Sequence, residues 1–361
     1  MSGENPQKKR GRAAVSNVSG RFEKMEYVPD YSDLEEDDEI FQAGIKTIFY
    51  RDNTKSIISF NQSPDVPFDA GINPYRGCEH GCIYCFARPS HEYLGLSAGL
   101  DFETKIFVKH DAAKLLRKEL NAPKWKPKPI ALSGSTDPYQ PAEKHFKITR
   151  SVLEVLEEFR NPVGIVTKNH LITRDIDILQ KLADVNAVRV VVSITTLDGS
   201  LARKMEPRTS QPIRRLEAIR KLAEAGIPVG VFTAPVVPGL TDHEIPSIIS
   251  AAAEAGASYA GYVMLRLPYS ISNLFEEWLE TNFPDRKEKV MNRVRDIRGG
   301  KVNESRFFER MKGEGAFAEQ VKTLFDAACR KAGIPEGRTD RSRMSTAAFR
   351  RPGDAQMSLF D

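Results

Sequence analysis

Between positions 77 and 85 the sequence reads GCEHGCIYC, so three of the chain's four cysteines, Cys78, Cys82 and Cys85, share one short segment. Thiolates are soft ligands and strong nucleophiles, and such a density of them points to metal binding or redox chemistry. Three readings compete. Buried structural thiols are the ordinary role of an unpaired cysteine, yet a polar, Gly-rich segment with Arg76 and His80 is a poor place to bury three. A structural zinc site needs a fourth ligand, which His80 or His91 could supply. An iron–sulfur cluster is the third reading: close spacing lets one loop wrap a compact cubane, and three thiolates would leave one iron open to a small molecule.

Composition narrows the setting. The chain has 361 residues, 40% apolar and 28% charged, long for one ordinary domain but within the range of a single barrel. No apolar run approaches the ~20 residues of a membrane helix. The N-terminal MSGENPQKKRGRAAVSN is basic but lacks the apolar segment of a signal peptide, so cytoplasmic residence is expected. Few, clustered cysteines do not suit a disulfide framework. A net charge of +4 favours anionic partners only weakly.

The elements that must position the cysteines follow from pattern. The apolar, β-branched runs PIALSGS (129–135), PVGIVTK (162–168), AVRVVVSI (187–194), PVGVFTAPVV (228–237) and AGYVMLRLP (260–268) read as buried strands, with FDAGINPY (68–75) as the first. Helical segments lie between them. In SQPIRRLEAIRKLAEAGIP, Ser210 is the expected cap, Leu216, Ile219, Leu222 and Ala223 the inner stripe, and Gly226 with Pro228 the stop. Thr241 and Glu244 have the spacing of a capping box. Repeated βαβ units predict a parallel sheet, in a barrel, a partial barrel or a doubly wound form, with ligands at the carboxyl ends of the strands.

The motif Cys78-x3-Cys82-x2-Cys85, with Tyr84 before the last cysteine and a first strand upstream, resembles the signature of the radical S-adenosylmethionine (SAM) superfamily. NPYRGCEHGCIYCFAR, SGSTDPYQPAE, TKNHLITRDIDIL and EPRTSQPIRRLEAI are similar to its spore photoproduct lyase-type branch, over roughly residues 65–270. The resemblance implies a partial (β/α)6 TIM-like barrel of parallel strands, a [4Fe-4S] cluster on Cys78, Cys82 and Cys85, and SAM chelated at the open iron. An electron from a flavodoxin- or ferredoxin-type donor would then release a 5′-deoxyadenosyl radical that abstracts a substrate hydrogen. It further implies SAM contacts: Tyr84 against the adenine, Ser135 with Asp137 nearby at the amino group in place of a Gly-Gly-Glu motif, Lys168 at the carboxylate, and Ser193 at the ribose. Each has a plainer alternative, namely a core aromatic, a Ser/Asp turn before Pro138, a surface lysine and a strand-end serine. Glu206 and Arg208 either pair locally or line the substrate mouth.

One departure concerns the chemistry. That branch's lyase uses a further cysteine near the end of the second strand as hydrogen donor, where this chain has Ser133, a poor donor because an O–H bond is much stronger than an S–H bond. Cys329 falls in the helical pattern AFAEQVKTLFDAACRKAGI and reads as a core residue. Dimer repair is therefore not the expected reaction, though a nucleic-acid substrate is.

The expected organisation is a disordered charged tail (1–45), the barrel (46–270), a helical C-terminal extension (271–335) and a flexible basic tail (336–361). That last tail ends in QMSLF, Gln356 to Phe360, which resembles the short motif by which bacterial repair proteins bind the DNA sliding clamp. Leu359 and Phe360 would be the anchors, and Arg338, Arg341, Arg343, Arg350 and Arg351 would attract phosphates. Readings from other classes remain open: a zinc-stabilised nucleic-acid-binding module, and a non-catalytic adaptor to the clamp.

Overall fold

The computed structural model describes residues 13–14, 16, 21, 46–335 and 344–352. Its strands, in chain order, are β1 (Ile48–Arg51), β2 (Ile58–Phe60), β3 (Ala70–Ile72), β4 (Tyr75–Arg76), β5 (Lys105–Val108), β6 (Ile130–Leu132), β7 (Val163–Thr167), β8 (Val188–Ser193), β9 (Val229–Val236) and β10 (Ala260–Met264). Six of them, β3, β6, β7, β8, β9 and β10, run parallel and side by side in the order of the chain, and β2 joins antiparallel on the free edge of β3. A doubly wound sheet would reverse its order at a switch point. This one does not, so every crossover proceeds in one direction, as in a barrel. Among the described residues β10 does not pair back to β3, and the result is the expected partial (β/α)6 barrel, open between its edge strands.

Residue type explains the strands. Val188, Val190 and Val192 of β8 and Val163 and Ile165 of β7 are fully buried, in one core with Leu179, Ile219 and Leu222 of the surrounding helices. Such β-branched stretches fit a sheet covered by helices. Helix Pro212–Glu224 ends at a Gly226 with φ +73, as its pattern predicts. Helix Gly315–Ala332 packs on helix Ile245–Glu254 and buries Cys329 completely in the main core.

Two helix starts differ from expectation. The hydroxyl of Ser210 accepts the His170 N–H (2.8 Å) and donates to Asn169 Oδ1 (3.0 Å), tying two loops together instead of capping. Gln211 occupies the cap position, and Pro212, lacking an N–H, lessens the need for one. No capping box forms at 241–244 either. Thr241 Oγ1 accepts the Val237 N–H, while Glu244 accepts Thr196 Oγ1 (2.6 Å) and the Leu197 N–H (2.7 Å) and so closes the loop after β8. The short sheet β1–β5–β4 has no counterpart in the sequence reading, because strands of two to four residues leave no periodic signal.

Residues 344–352 cross the amino end of the barrel. Ser345 N donates to Asn186 O (2.8 Å), Arg350 N to Phe159 O (2.9 Å) and Arg350 Nε to Glu158 O (3.0 Å), Arg351 donates to Trp125 O (3.1 Å), and the Phe349 ring lies 6.2 Å from that of Phe159. Arg350 and Arg351 thus fasten this strap. Gln356–Phe360, Arg338, Arg341, Arg343 and the charged blocks of the N-terminal tail lie outside the described residues. Phe349→Ala should cost roughly 1–2 kcal/mol, less than a fully buried phenylalanine, read as a lower urea midpoint; an unchanged midpoint would show that the strap contributes nothing.

Candidate active site at the carboxyl end of the barrel

The cysteine loop follows β4, and its glycines are dictated by its path. Gly77 has φ +77, and a Cβ there would stand 2.9 Å from the His91 ring and 3.0 Å from Lys105 O; Gly81 has φ +66, with Glu103 at 3.1 Å. Neither position tolerates a side chain without movement. Ile83, fully buried, anchors the loop in a second apolar core with Met205, Leu274, Phe275 and Trp278, so the helices after β10 cover it.

A single buried arginine holds the loop's shape. Arg88 donates Nε to Cys82 O (2.9 Å), Nη1 to Ala98 O (3.0 Å) and Gly99 O (2.9 Å), and Nη2 to Gly81 O (3.2 Å) and Glu103 Oε1 (2.5 Å). All donors of the guanidinium are used, and both charged side chains are fully buried. From the β6 side, Gln140 accepts the Glu79 N–H (2.9 Å) and donates to Gly77 O (3.2 Å), where Thr136 Oγ1 also donates (2.8 Å).

Cys78 and Cys82 are buried, Cys85 is half-buried, and none forms a disulfide. Burial pushes the Cys82 thiol well up, with Glu206 adding to it; burial and Cys78 push Cys85 to about 11. The spread of the thiols bears on which cation they would hold. A single zinc with sulfurs at about 2.3 Å would bring them about 3.8 Å apart. The one trio of potential ligand groups among the described residues whose atoms all lie within 4.8 Å of one another is Glu304, Glu309 and Glu314, so the three thiols are spaced more widely than one ion requires. Three thiols not all that close together fit a polynuclear iron–sulfur cluster. Of the two candidate fourth ligands, His91 keeps a buried Nδ1 without a partner and His80 is hydrogen-bonded to Cys78. His91 Nε2 meets Lys105 O (2.9 Å), and burial lowers its pKa to about 4. His80 lies between Asp137 (3.4 Å) and Asn169 (3.1 Å). Burial disfavours the charged ring, but Asp137 and Cys78 outweigh it and raise the His80 pKa to about 10.

The other site residues of the sequence reading lie on the neighbouring strand ends. Lys168, after β7, donates Nζ to Ser193 Oγ at the end of β8 (2.8 Å), to Thr195 Oγ1 (3.1 Å) and to Ala234 O of β9 (2.9 Å), and stands 3.6 Å from Glu206. Its ammonium lies 5.5 Å from the Tyr84 ring, and the Tyr84 hydroxyl donates to Glu206. Burial lowers the Lys168 pKa, against the pull of Glu206. Glu206 pairs with Arg215, both fully buried, and Arg215 also donates to Ser193 O (3.0 Å), Ser210 O (2.7 Å) and Thr209 Oγ1 (2.6 Å). Asp137 accepts Thr167 Oγ1 (2.7 Å) and the N–H groups of Lys168 (2.8 Å) and Tyr139 (2.9 Å). Ser135 stands apart, exposed at the loop tip, with its N–H on Asn73 Oδ1 (2.9 Å). Glu206 and Arg208 do not pair with each other; Arg208 meets Glu79 (2.6 Å). Sequence reasoning missed Arg88, Glu103, Gln140, Asn169, Thr195 and Arg215, since the fold alone buries them.

Arg88→Ala strands the Glu103 charge and four carbonyls, and should cost about 3 kcal/mol or more, with loss of bound iron; Arg88→Lys, lacking the fork, should rescue little. Wild-type stability and iron content in these variants would disprove the clamp. For Glu206, burial raises the pKa but Arg215 and Lys168 bring it below its ordinary value of 4.5. Its stabilisation is then present above that value and lost as pH falls through the lowered one. Urea midpoints measured against pH should fall on that acid limb, and Glu206→Gln should flatten it.

Residues 72–252 match the model of the radical SAM superfamily. An uncharacterised protein of Mycobacterium tuberculosis is 37% identical over 234 residues, 64% of this chain and 68% of that protein. Another, of Methanocaldococcus jannaschii, is 29% identical over 223 residues, 62% and 80% of the two chains. Spore photoproduct lyase complexed with dinucleoside spore photoproduct superposes with a TM-score of 0.56 at 16% identity over 80% of each chain, a likeness of fold. A variant of that lyase with AdoMet and the dinucleoside bound gives the same score. With the family model spanning the cysteine loop and five of the parallel strand ends, the chain belongs to the radical SAM superfamily and is an enzyme of that class.

Proposed function

We propose that Cys78, Cys82 and Cys85 hold a [4Fe-4S] cluster, and that this chain cleaves SAM reductively to abstract hydrogen from a nucleic-acid substrate. The observation that carries the reading is three unpaired thiols, not all within 4.8 Å of one another, on a clamped loop at the carboxyl ends of sequentially ordered parallel strands. Such a cluster supplies, when bound, the electron for cleaving SAM to methionine and a 5′-deoxyadenosyl radical, with a flavodoxin- or ferredoxin-type protein as the donor.

The chain's own groups bind and orient SAM. Lys168 offers its ammonium to the SAM carboxylate, an anion replacing one of its three neutral partners. Tyr84, its hydroxyl fixed on Glu206, presents its ring to the adenine, and Ser193, beside Lys168, faces the ribose. Ser135 brings an exposed hydroxyl to the SAM amino group. Both Asp137 oxygens are taken by protein donors, so it acts by positioning Lys168, Thr167 and His80.

For the substrate, the fold likeness to a lyase holding a dinucleoside photoproduct and the net charge of +4 support nucleic acid. Ser133, whose hydroxyl lies 3.5 Å from Thr136 O, occupies the neighbourhood of the lyase's donor thiol. We therefore assign modification of DNA in preference to dimer repair. Recruitment to the sliding clamp through Gln356–Phe360 belongs to this reading as a separate proposal.

Anaerobically reconstituted protein should carry about four irons per chain and form 5′-deoxyadenosine from SAM and dithionite, both lost in Cys82→Ala; zinc without deoxyadenosine would overturn the reading. Lys168→Gln should keep its iron yet need about tenfold more SAM for half-maximal deoxyadenosine formation; an unchanged requirement would remove Lys168 from the SAM site.

A further inference from the structure

Two arginines near the cysteine loop make no direct ion pair among the described residues, although Asp65 attracts Arg266, and Glu304 and Glu314 attract Arg298, at longer range. Arg266 leaves the carboxyl end of β10 with its guanidinium 5.3 Å from the centre of the Phe86 ring, and Phe86 directly follows Cys85. The bond Arg266 makes is to Met311 Sδ at 3.7 Å, and its Nε is buried without a partner. Behind it, Arg298 is 1% exposed. It spends Nη1 on Glu309 O (2.8 Å) and Nη2 on Leu265 O (2.7 Å), but its Nε too is unpartnered. Burial and the neighbouring Arg266 lower Arg298 to about 10.

The adjacent carboxylates make their direct ion pairs with other arginines, Asp65 with Arg310, and Glu304, Glu309 and Glu314 together with Arg306. Asp65 takes Arg310 bidentately (2.5 and 2.6 Å) and the Phe308 N–H (3.1 Å). Glu304 takes the N–H groups of Ser305 and Arg306 (2.8 Å each) and the Arg306 guanidinium (2.9 Å). Neither Arg266 nor Arg298 makes an ion pair among the described residues. Two neighbouring guanidinium groups, one buried and one half-buried, without a direct ion pair are costly to maintain. Their forked donors suit a phosphate.

We propose that Arg266, backed by Arg298, receives a phosphodiester of the substrate, with Phe86 as the stacking face for the adjoining unpaired base. The proposal rests on the nucleic-acid reading above and gives that substrate a place. Phe86 is 51% exposed although it adjoins the cysteines, and Phe307 and Phe308 are 49% and 63% exposed, with Arg310 4.9 Å over Phe307. Exposed aromatics alternating with arginines are how single strands are held, by stacking and phosphate contact together. Phe308 also has φ +67, a strained state for a bulky residue, held by the bond of its N–H to Asp65. Because Arg266 and Phe86 join the end of β10 to the cysteine loop, a base stacked there lies beside the loop proposed to hold the cluster.

The test uses reconstituted full-length protein and a labelled single-stranded DNA of about 12 nucleotides, within the span of single-strand sites. Fluorescence anisotropy should show about tenfold weaker binding for Arg266→Gln, with a log–log salt dependence shallower by about 0.7, the value of one phosphate contact on a single strand. Arg266→Lys should keep the wild-type salt slope and recover part of the affinity. Phe86→Ala, at an exposed position, provides a second variant that folds independently of the arginine pair. It should weaken binding of the DNA but not of an abasic strand of equal length. Wild-type affinity and slope in Arg266→Gln, or equal DNA binding by Phe86→Ala, overturns the proposal. Deoxyadenosine formation by the unsubstituted protein is measured in parallel. Binding without deoxyadenosine upholds this site and sinks the radical reading; deoxyadenosine without binding does the reverse.

Discussion

The site depends above all on the buried pair Arg88–Glu103. A loop that offers three thiols to a metal has few apolar contacts of its own and must leave its sulfurs free, so its backbone has to be held from outside. Arg88 does this by binding the carbonyls of Gly81, Cys82, Ala98 and Gly99 at once, with Glu103 balancing the charge. Replacing such a pair by apolar residues can be neutral for stability, while removing one partner is severe. Its value here is geometric: only a planar fork joins four carbonyls on both sides of the thiols.

The same device recurs on the opposite side of the site. Arg215–Glu206, equally buried, ties the EPRTS turn to the end of β8 and holds Tyr84 through its hydroxyl. Lys168 sits between the two pairs, with burial working against its charge and Glu206 supporting it. Strand ends from β6 to β9 therefore form one polar network, in which Asp137, Asn169 and Thr195 keep the chemistry-bearing groups in register. Arg266 and Arg298 are the exception: Arg298 is as buried as Arg88 and Arg215 and Arg266 is half-buried, yet neither makes a direct ion pair among the described residues. The contrast between ion-paired and unpaired arginines separates the groups that hold the loop from those proposed to receive a phosphate.

The sequence by itself determined the three cysteines, the tyrosine before the third, the six parallel strands and the helix that buries Cys329, because each is written in local spacing or in a run of apolar, β-branched residues. It also brought Lys168 and Ser193 to strand ends, where the structure joins them by a hydrogen bond. Barrel or doubly wound sheet was beyond it, since both share one period and differ only in which strand lies beside which. The helix starts misled for a related reason: Ser210 and Glu244 have capping chemistry, but donors distant in sequence, His170 and Thr196, compete for their oxygens and win. Arg88, Gln140 and Arg215 look like surface residues in the sequence. Tertiary structure alone buries them, because whether a polar group is paired or solvated depends on neighbours distant in sequence, as Gln140 meets the Glu79 N–H 61 positions away.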